Sequence, residues 1–169
     1  DFVRDKDAVS ACVILAEIAA WAKDQGLSLY QLLQKIYVEY GFSKEKGISV
    51  VKKGKSGAEE IEAMMKKFRE NPLTEIAGSK VTYFYDYSTL KGKDYAENET
   101  VTLDMPTTSN VLQYFTEDNT KVSIRPSGTE PKIKFYCEVH SKVKSIDELP
   151  EAEKAAEEKI NQIKASLGI

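Results

Sequence analysis

The sequence predicts an α+β fold in which an antiparallel sheet carries helices on one face and follows a pair of helices. Three observations indicate this fold. Two helical apolar patterns open the chain, several β-rich runs separated by polar turns follow residue 80, and one amphipathic helix closes the chain. Strands that succeed one another without alternating helices are typical of antiparallel sheets backed by helices.

Two helices are predicted before the first β-prone segment. From Asp7 to Gln25 apolar side chains lie nearly all round the helix, which favours a helix packed on more than one side. Gly26 is its expected end. A second helix begins at the capping pattern Ser28-Leu29-Tyr30-Gln31 and ends at Gly41. These two helices are expected to form an amphipathic pair.

A domain boundary is expected near Gly41, where the helical periodicity stops. Residues 1–41 are then the C-terminal helices of one domain, and residues 42–169 form a second domain. The chain opens on Asp1 without a methionine and runs at once into a helix pattern. We therefore expect the sequence to be a piece of a longer protein.

The second domain is expected to begin with a strand and a helix. Ile48, Val50 and Val51 favour a strand, since β-branched residues pack well on a pleated surface. The pattern Ser56-Gly57-Ala58-Glu59 resembles a capping box and predicts that a helix begins there. Asn71-Pro72 is expected to end that helix, because proline cannot continue it.

Later segments alternate as strands do, and the chain ends on a helical pattern. The predicted strands are Val81–Tyr87, Val111–Phe115, Lys121–Arg125 and Ile133–Val139. In the last of them Cys137 falls on the apolar face and is expected in the core. The final helix is predicted between Leu149 and Leu167, with Pro150 in its first turn.

Composition and charge argue against several classes of protein. A net charge of −3 and a pI of about 5.4 give no overall attraction to nucleic acid or to an anionic membrane. The longest apolar run, Ala11–Ala16, is too short to span a bilayer. Cys12 and Cys137 lack metal-ligand spacing, which favours free thiols in a reducing cytosol. We expect a cytoplasmic protein with no nucleic-acid or membrane partner.

The residue types of one loop suit the binding of a phosphate dianion. This loop, Arg125-Pro126-Ser127-Gly128-Thr129-Glu130-Pro131-Lys132, joins the last two predicted strands. Arg125 offers a planar fork for two phosphate oxygens, and Ser127 and Thr129 offer hydroxyl donors. Gly128 lets the backbone bend so that successive N–H groups point into one concavity.

The alternation of side chains in the two strands that flank the loop predicts a second cation beside Arg125. If Ile124 and Ile133 face the core, Arg125 and Lys134 emerge together on the opposite face. The residues alone leave an ordinary Pro/Gly-rich turn open as an alternative. The single histidine, His140, has no Cys or carboxylate partner placed for a catalytic triad or zinc site and is expected on the surface.

Residues 125–136, Arg-Pro-Ser-Gly-Thr-Glu-Pro-Lys-Ile-Lys-Phe-Tyr, resemble the C-terminal phosphate loop of α-D-phosphohexomutases of the phosphoglucomutase/phosphomannomutase type. Other stretches agree with the family in order and spacing, namely Arg4-Asp5-Lys6-Asp7-Ala8, Asn71-Pro72 and Asp86-Tyr87, and the similarity spans essentially the whole chain. The resemblance implies a four-domain enzyme, with residues 1–41 ending the third domain and residues 42–169 forming a TBP-like fourth domain.

The resemblance also implies an intramolecular phosphotransferase that interconverts hexose 1-phosphate and hexose 6-phosphate. In the family a phosphoserine, an Asp-rich loop that binds Mg²⁺ and a sugar-specificity loop precede the region that this sequence covers. A hexose bisphosphate is the family's intermediate and activator. The sequence is thus expected to hold no metal site, to bind a phosphosugar, to pair with upstream domains of the same polypeptide, and to be inactive alone.

Carried over residue by residue, Arg125, Ser127, Gly128 and Thr129 match the family's phosphate-binding residues, and Lys134 matches a second cation. They are expected to bind the phosphate that is not being transferred. Lys6 matches a lysine near the reacting centre, where an amine can assist proton transfer or neutralise charge. The same residue also suits a solvated helix start, and that alternative stays open.

Two other functions are compatible with parts of the pattern. A non-catalytic phosphosugar-binding regulatory module would need the same loop and no upstream machinery. A nucleic-acid-binding module would use the helix-backed sheet, but the acidic pI and the lack of a basic stripe with interleaved aromatics argue against it.

Overall fold

The computed structural model describes residues 6–52 and 54–169, with all of their side chains except that of residue 55. Four α-helices lie in these ranges: α1 (Ala8–Asp24), α2 (Leu29–Tyr40), α3 (Gly54–Glu70) and α4 (Leu149–Leu167), the last preceded by a 3₁₀ turn at Ile146–Glu148. The strands are β1 (Phe42–Val51), β2 (Glu75–Ile76), β3 (Ser79–Asp86), β4 (Lys91–Asp94), β5 (Glu99–Thr102), β6 (Leu112–Thr116), β7 (Lys121–Pro126) and β8 (Lys132–Ser141).

The chain divides into two compact units. One contains Asp1–Phe42 and Lys142–Pro150, and the other contains Ser43–Ser141 and Glu151–Ile169. The assignment of residues 1–41 to a third family domain and of residues 42–169 to a fourth stays a prediction. No helix in the described ranges is both long and apolar enough to cross a bilayer.

The larger unit is built on one sheet with the strand order β1-β8-β7-β6-β3-β4-β5, and β2 pairs with β3 beside it. Every pair with a defined register is antiparallel. Side chains of one sheet face form the core together with α3 and α4. The fully buried members are Tyr114, Phe135, Ile76, Leu112, Ile124, Ile133, Ile160, Ile163, Val122, Thr120 and Cys137. The predicted fold class is therefore confirmed, and so is the burial of Cys137.

Helix α3 is fixed to the sheet by aromatic contacts. The ring of Phe68 meets that of Phe135 edge to face, with centroids 6.1 Å apart. The buried Tyr114 hydroxyl donates to the Phe68 carbonyl oxygen at 2.9 Å, which satisfies a polar group that would be costly to bury alone. The other sheet face carries no helix of this unit and is called the open face below.

The smaller unit confirms the predicted helix ends but not the predicted burial of its first helix. Asp7 caps α1 by accepting from the Ser10 N–H at 2.9 Å, and Ser28 and Gln31 form the predicted capping box. Along α1 only Ala22 is buried. Val9 is 77% exposed and Trp21 is 54% exposed. The prediction that α1 packs on more than one side is wrong for the described residues, because most of its apolar side chains are exposed there.

Four further elements differ from the sequence-based prediction. Strand β1 begins at Phe42, six residues before the β-branched cluster that predicted it. Helix α3 begins at Gly54, so Ser56 lies inside the helix and does not cap it. Strands β4 and β5 were not predicted, since only Val101 among their eight residues is a strongly apolar strand former.

Candidate functional site

The candidate site lies where β7 and β8 meet the loop between them. Arg125 and Lys134 are direct cross-strand partners, and each is next to a fully buried isoleucine, Ile124 or Ile133. Because side chains alternate along a strand, the two cations share the open face, as the sequence predicted. The turn thus places a guanidinium and an ammonium side by side at the base of the loop.

These two cations are not neutralised by a carboxylate. Across residues 6–52 and 54–169, neither Arg125 nor Lys134 has an acidic oxygen within 4.0 Å. Arg125 is exposed and Lys134 is partly buried. Two like charges held side by side repel each other, so an anion bound between them is favoured on Coulombic grounds.

The loop adds donors from its backbone. The Ser127 N–H donates to the Lys132 carbonyl oxygen at 2.8 Å, and the Lys132 N–H donates to the Glu130 carbonyl oxygen at 2.7 Å. These bonds close the loop. Within the described part of the chain, the N–H of Gly128 donates to no protein acceptor, and open space surrounds its Cα. That N–H and the Ser127 and Thr129 hydroxyls are therefore available to a ligand.

Glu130 and Lys132 neutralise each other at the tip of the loop. The two side chains form an ion pair. The hydrogen bond from Lys132, then its charge and that of Lys134, lower the pKa of Glu130 below its ordinary value. Lys132 is thus occupied, which leaves Arg125 and Lys134 as the loop's available cations.

A pocket of about 800 Å³ lies on the other side of the loop, against α3. Ser127, Gly128 and Thr129 line its rim. Its arginine is already hydrogen-bonded: Arg69 Nε donates to Asp86 Oδ2 at 2.9 Å, and Arg69 Nη2 donates to Asn110 Oδ1 at 2.9 Å. The structure thus brings three predicted site residues to this pocket, while Arg125 and Lys134 face the opposite side of the sheet.

With this geometry in view, comparisons with known proteins identify the family. The family model described as phosphoglucomutase/phosphomannomutase, C-terminal domain, matches residues 48–156. The chain belongs to this family.

Similar proteins carry the same name. A phosphoglucomutase of Staphylococcus haemolyticus is 37% identical over 140 residues, which are 83% of this chain and 25% of that protein. A phosphoglucomutase of Staphylococcus aureus is 38% identical over 135 residues, 80% of this chain and 24% of that protein. The chain thus spans about a quarter of the length of these relatives.

Among solved structures, the open form of the exocytosis-sensitive phosphoprotein pp63/parafusin, a phosphoglucomutase from Paramecium, matches 85% of this chain and 24% of its own. The TM-score is 0.47 and the sequence identity is 16%.

Lys6, which the family resemblance places near the reacting centre, belongs to the smaller unit and is exposed. The neighbouring Asp7 caps α1, and the hydrogen bond from the Ser10 N–H lowers its pKa. The segment around Lys6 therefore forms a helix start, and a catalytic role for Lys6 stays a prediction. Arg4 and Asp5, which carry part of the resemblance, lie outside the described residues.

His140 lies on the surface, as predicted, but it does have a carboxylate neighbour. Its Nε2 lies 2.8 Å from Glu138 Oε1, and Glu138 also pairs with Lys121 at 2.7 Å. These bonds from Lys121 and His140 lower the pKa of Glu138. No group of three His, Cys, Asp or Glu side chains that could hold a metal exists within the described ranges.

Sequence reasoning missed the residues that shape the pocket beside the loop. Arg69, Asp86 and Asn110 belong to α3, the end of β3 and the segment before β6. The signal that was available is Asp86-Tyr87, a stretch that agrees with the family. Asp86 is buried and also accepts from the Ser88 N–H at 3.0 Å, an Asx turn that fixes the strand end.

Proposed function

We propose that this chain is the C-terminal part of a phosphoglucomutase or phosphomannomutase that interconverts hexose 1-phosphate and hexose 6-phosphate. In the proposed reaction a phosphoserine elsewhere in the protein donates to the sugar and gives a bisphosphate intermediate. The loop at Arg125 binds the phosphate that is not being transferred. The observation that carries this proposal is the un-neutralised pair Arg125 and Lys134 at the base of a loop with a free Gly128 N–H.

The donor set suits a phosphate group more than it suits a particular sugar. A guanidinium binds two phosphate oxygens in one plane, and the neighbouring ammonium adds a further charge-assisted donor. In a mutase the bisphosphate must turn over, so the same loop receives the phosphate from either end of the sugar. A phosphate-directed loop meets this need, and binding energy at the remote phosphate helps to position the reacting hydroxyl.

The catalytic serine and the metal are assigned to other segments of the protein. The described residues contain no cluster of three His, Cys, Asp or Glu side chains that could hold the Mg²⁺ implied by the family. The hexose bisphosphate is proposed as the intermediate and activator of the whole enzyme. This chain contributes binding and closure of the site.

Upstream domains of the same polypeptide are proposed as the partner of the smaller unit. The support is the exposed apolar surface of α1, where Val9, Val13, Ile14, Leu15 and Trp21 are each more than half exposed. A soluble protein rarely leaves so many adjacent apolar side chains in water. Covering them with preceding domains would remove that apolar surface from water.

Substitution of Arg125 tests the proposed function in the full-length enzyme. Arg125→Ala is expected to lower kcat/KM roughly tenfold to a hundredfold, because a charge-assisted contact contributes about 1.5–3 kcal/mol. Steady-state kinetics in both directions of the reaction measure this. Lys154→Met is the matched control, since it removes an exposed charge on α4 far from the loop in sequence. An unchanged kcat/KM for Arg125→Ala contradicts the proposal.

Ligand binding to the chain itself provides an independent test. Glucose 1-phosphate and glucose 6-phosphate are expected to bind weakly and with similar affinity, because the loop is directed at phosphate. An NMR titration follows the backbone amides, and those of Ser127, Gly128 and Thr129 are expected to shift with both ligands. If these amides do not respond while others do, the loop is not the phosphate site.

A further inference from the structure

A second concave surface of about 540 Å³ lies on the open face of the sheet. It is bounded by Gly47 of β1, Gln113 of β6, Ser123 of β7 and Tyr136 of β8, and the Lys121–Glu138 ion pair closes one end. We propose that this surface, called the sugar patch below, binds the pyranose ring of a phosphosugar. This inference rests on the proposed function, because it assumes that the phosphate is held at Arg125 and Lys134.

The register of β7 and β8 sets the distance between the two parts of the site. Ser123 and Tyr136 are direct cross-strand partners, two residues along from the Arg125–Lys134 pair. A rise of about 3.4 Å per residue places the two pairs about 7 Å apart on the same face. A hexose phosphate anchored by its phosphate can therefore extend its ring over Ser123 and Tyr136.

The side chain of Tyr136 is accessible to a ligand. Its side chain is 43% exposed although it lies in the middle of a ten-residue strand. The ring lies beside Gly47, where an added Cβ would be 3.9 Å from Tyr136 Cδ1. The apolar C–H groups of a pyranose pack well on such a ring. This contact does not depend on which end of the sugar carries the phosphate, so it is compatible with a ligand that binds in two orientations.

The polar groups of the sugar patch are held in fixed orientations. The Tyr87 hydroxyl donates to Gln113 Oε1 at 2.8 Å, and Gln113 Nε2 donates to Ser123 Oγ at 3.0 Å. Since Ser123 Oγ is the acceptor of that bond, its own proton is available to a sugar oxygen. A small number of oriented polar groups around an apolar contact is typical of small-molecule sites.

The larger pocket against α3 is the competing location for the sugar. Its arginine, Arg69, already bonds to Asp86 and Asn110, and its lysine, Lys66, lies 3.9 Å from Glu70. Arg125 and Lys134 point away from that pocket, because they alternate with the buried Ile124 and Ile133. A phosphate held by those two cations therefore directs its sugar to the open face.

The test compares inorganic phosphate with hexose phosphates as ligands of the 169-residue chain. Calorimetric or NMR titrations give Kd for inorganic phosphate, glucose 1-phosphate and glucose 6-phosphate. Tyr136→Ala is expected to weaken both hexose phosphates about threefold to tenfold and to leave the Kd of inorganic phosphate unchanged. Tyr136→Phe, which keeps the ring, is expected to bind like the unsubstituted chain.

A second pair of variants separates the possible failures. Ser123→Ala removes one hydrogen-bond donor with little change in side-chain volume and is expected to weaken the binding of the hexose phosphates only. This variant still tests the sugar patch if Tyr136→Ala fails to fold. If Arg125→Ala weakens all three ligands while Tyr136→Ala and Ser123→Ala weaken none, the sugar patch is wrong and the proposed function stands. If Arg125→Ala changes no Kd, the phosphate site is wrong and the inference falls with it.

Discussion

Asp118, in the turn between β6 and β7, is the residue whose charge is most firmly held in the larger unit. Lys159 of α4 donates to Asp118 Oδ2 at 2.7 Å, and the Thr116 hydroxyl donates to Oδ1 at 2.6 Å. Burial acts to raise the pKa of Asp118, but the hydrogen bonds from Lys159, Thr116 and Thr120 outweigh burial and lower the pKa far below its ordinary value. The ionised carboxylate thus links this turn to α4.

The stability contributed by Asp118 should depend on pH. A carboxyl group with a lowered folded-state pKa stabilises fully above its unfolded pKa of about 3.9 and loses that contribution as the pH falls towards the folded value. Asp118→Asn is expected to lower the free energy of unfolding by roughly 1 kcal/mol at pH 7. Urea denaturation at pH 7 and pH 3 should show a smaller difference at pH 3. Asp104→Asn, at an exposed loop position, is the control. If Asp118→Asn lowers the free energy of unfolding equally at both pH values, the lowered pKa of Asp118 is wrong.

The two cysteines should differ sharply in reactivity. Burial raises the pKa of the Cys137 thiol to about 11, and its side chain lies in the core. Cys12 on α1 is exposed in this chain. Since the thiolate is the reactive form, a thiol reagent at pH 8 should modify Cys12 quickly and Cys137 only after denaturation. Two fast-reacting thiols in the native chain would contradict the burial of Cys137.

At the scale of single residues, sequence reasoning succeeded where a side chain's direction depends only on its own strand. Alternation placed Arg125 and Lys134 on one face of the sheet, as the structure has them. It failed for Arg69, whose partners are 17 and 41 residues away along the chain. Contacts of that separation depend on the three-dimensional fold and leave no local pattern.

At the scale of elements, the close approach of β3 and β4 depends on a residue without a side chain. The Tyr85 ring lies over Gly92, where a Cβ atom would come within 2.4 Å of Tyr85 Cδ1 and 2.9 Å of the Phe84 carbonyl oxygen. Glycine here allows the ring to pack on the backbone, and the ring then reaches Phe115 on the open face with centroids 5.3 Å apart.

Gly92→Ala is therefore expected to destabilise the fold by about 1–3 kcal/mol, the usual effect of overpacking. Chemical denaturation followed by circular dichroism measures the change in the free energy of unfolding. Gly128→Ala is the matched control, because no atom lies within 4 Å of the added Cβ and the backbone angle there is not in the left-handed region. A Gly92→Ala chain as stable as the control would contradict the packing of Tyr85 on Gly92.

The hairpin formed by β4 and β5 shows why some elements escape sequence-based prediction. Its strands are short and polar, so neither periodicity nor β-propensity identifies them. The structure forms it by other means: Asp94 Oδ1 accepts from the Ala96 N–H at 2.9 Å, and Asn98 takes a left-handed backbone angle with φ of 54°. Side-chain bonds in the turn stabilise a hairpin that its strand composition does not indicate.

At the scale of the whole molecule, the two units should differ in local stability. The larger unit buries the central strands β6, β7 and β8 under α3 and α4, whereas α1 buries only Ala22. Local opening costs least where few apolar contacts are lost. Native-state hydrogen exchange of this chain should therefore show the slowest amides in the central strands and much faster exchange along α1. Equal protection of the amides of α1 and of the central strands against exchange would contradict this prediction.

The uneven burial also explains what sequence analysis missed at this scale. An all-round apolar pattern correctly identified α1 as a helix. The pattern does not show whether the residues that pack against α1 belong to this chain or to another part of the protein. The relatives that the chain matches are about four times as long. An apolar helix therefore remains exposed here, although the capping residues and helix ends were predicted from local chemistry alone.

The strand order has a practical consequence for protein engineering. Four steps across the sheet separate β7 from β5, which is about 19 Å at the usual strand spacing. The turn between β4 and β5, Tyr95 to Asn98, is therefore an insertion point for a peptide tag or fluorescent group that would leave the loop at residues 125–132 unaltered. A reporter placed there would make the chain suitable for single-molecule measurements of its unfolding.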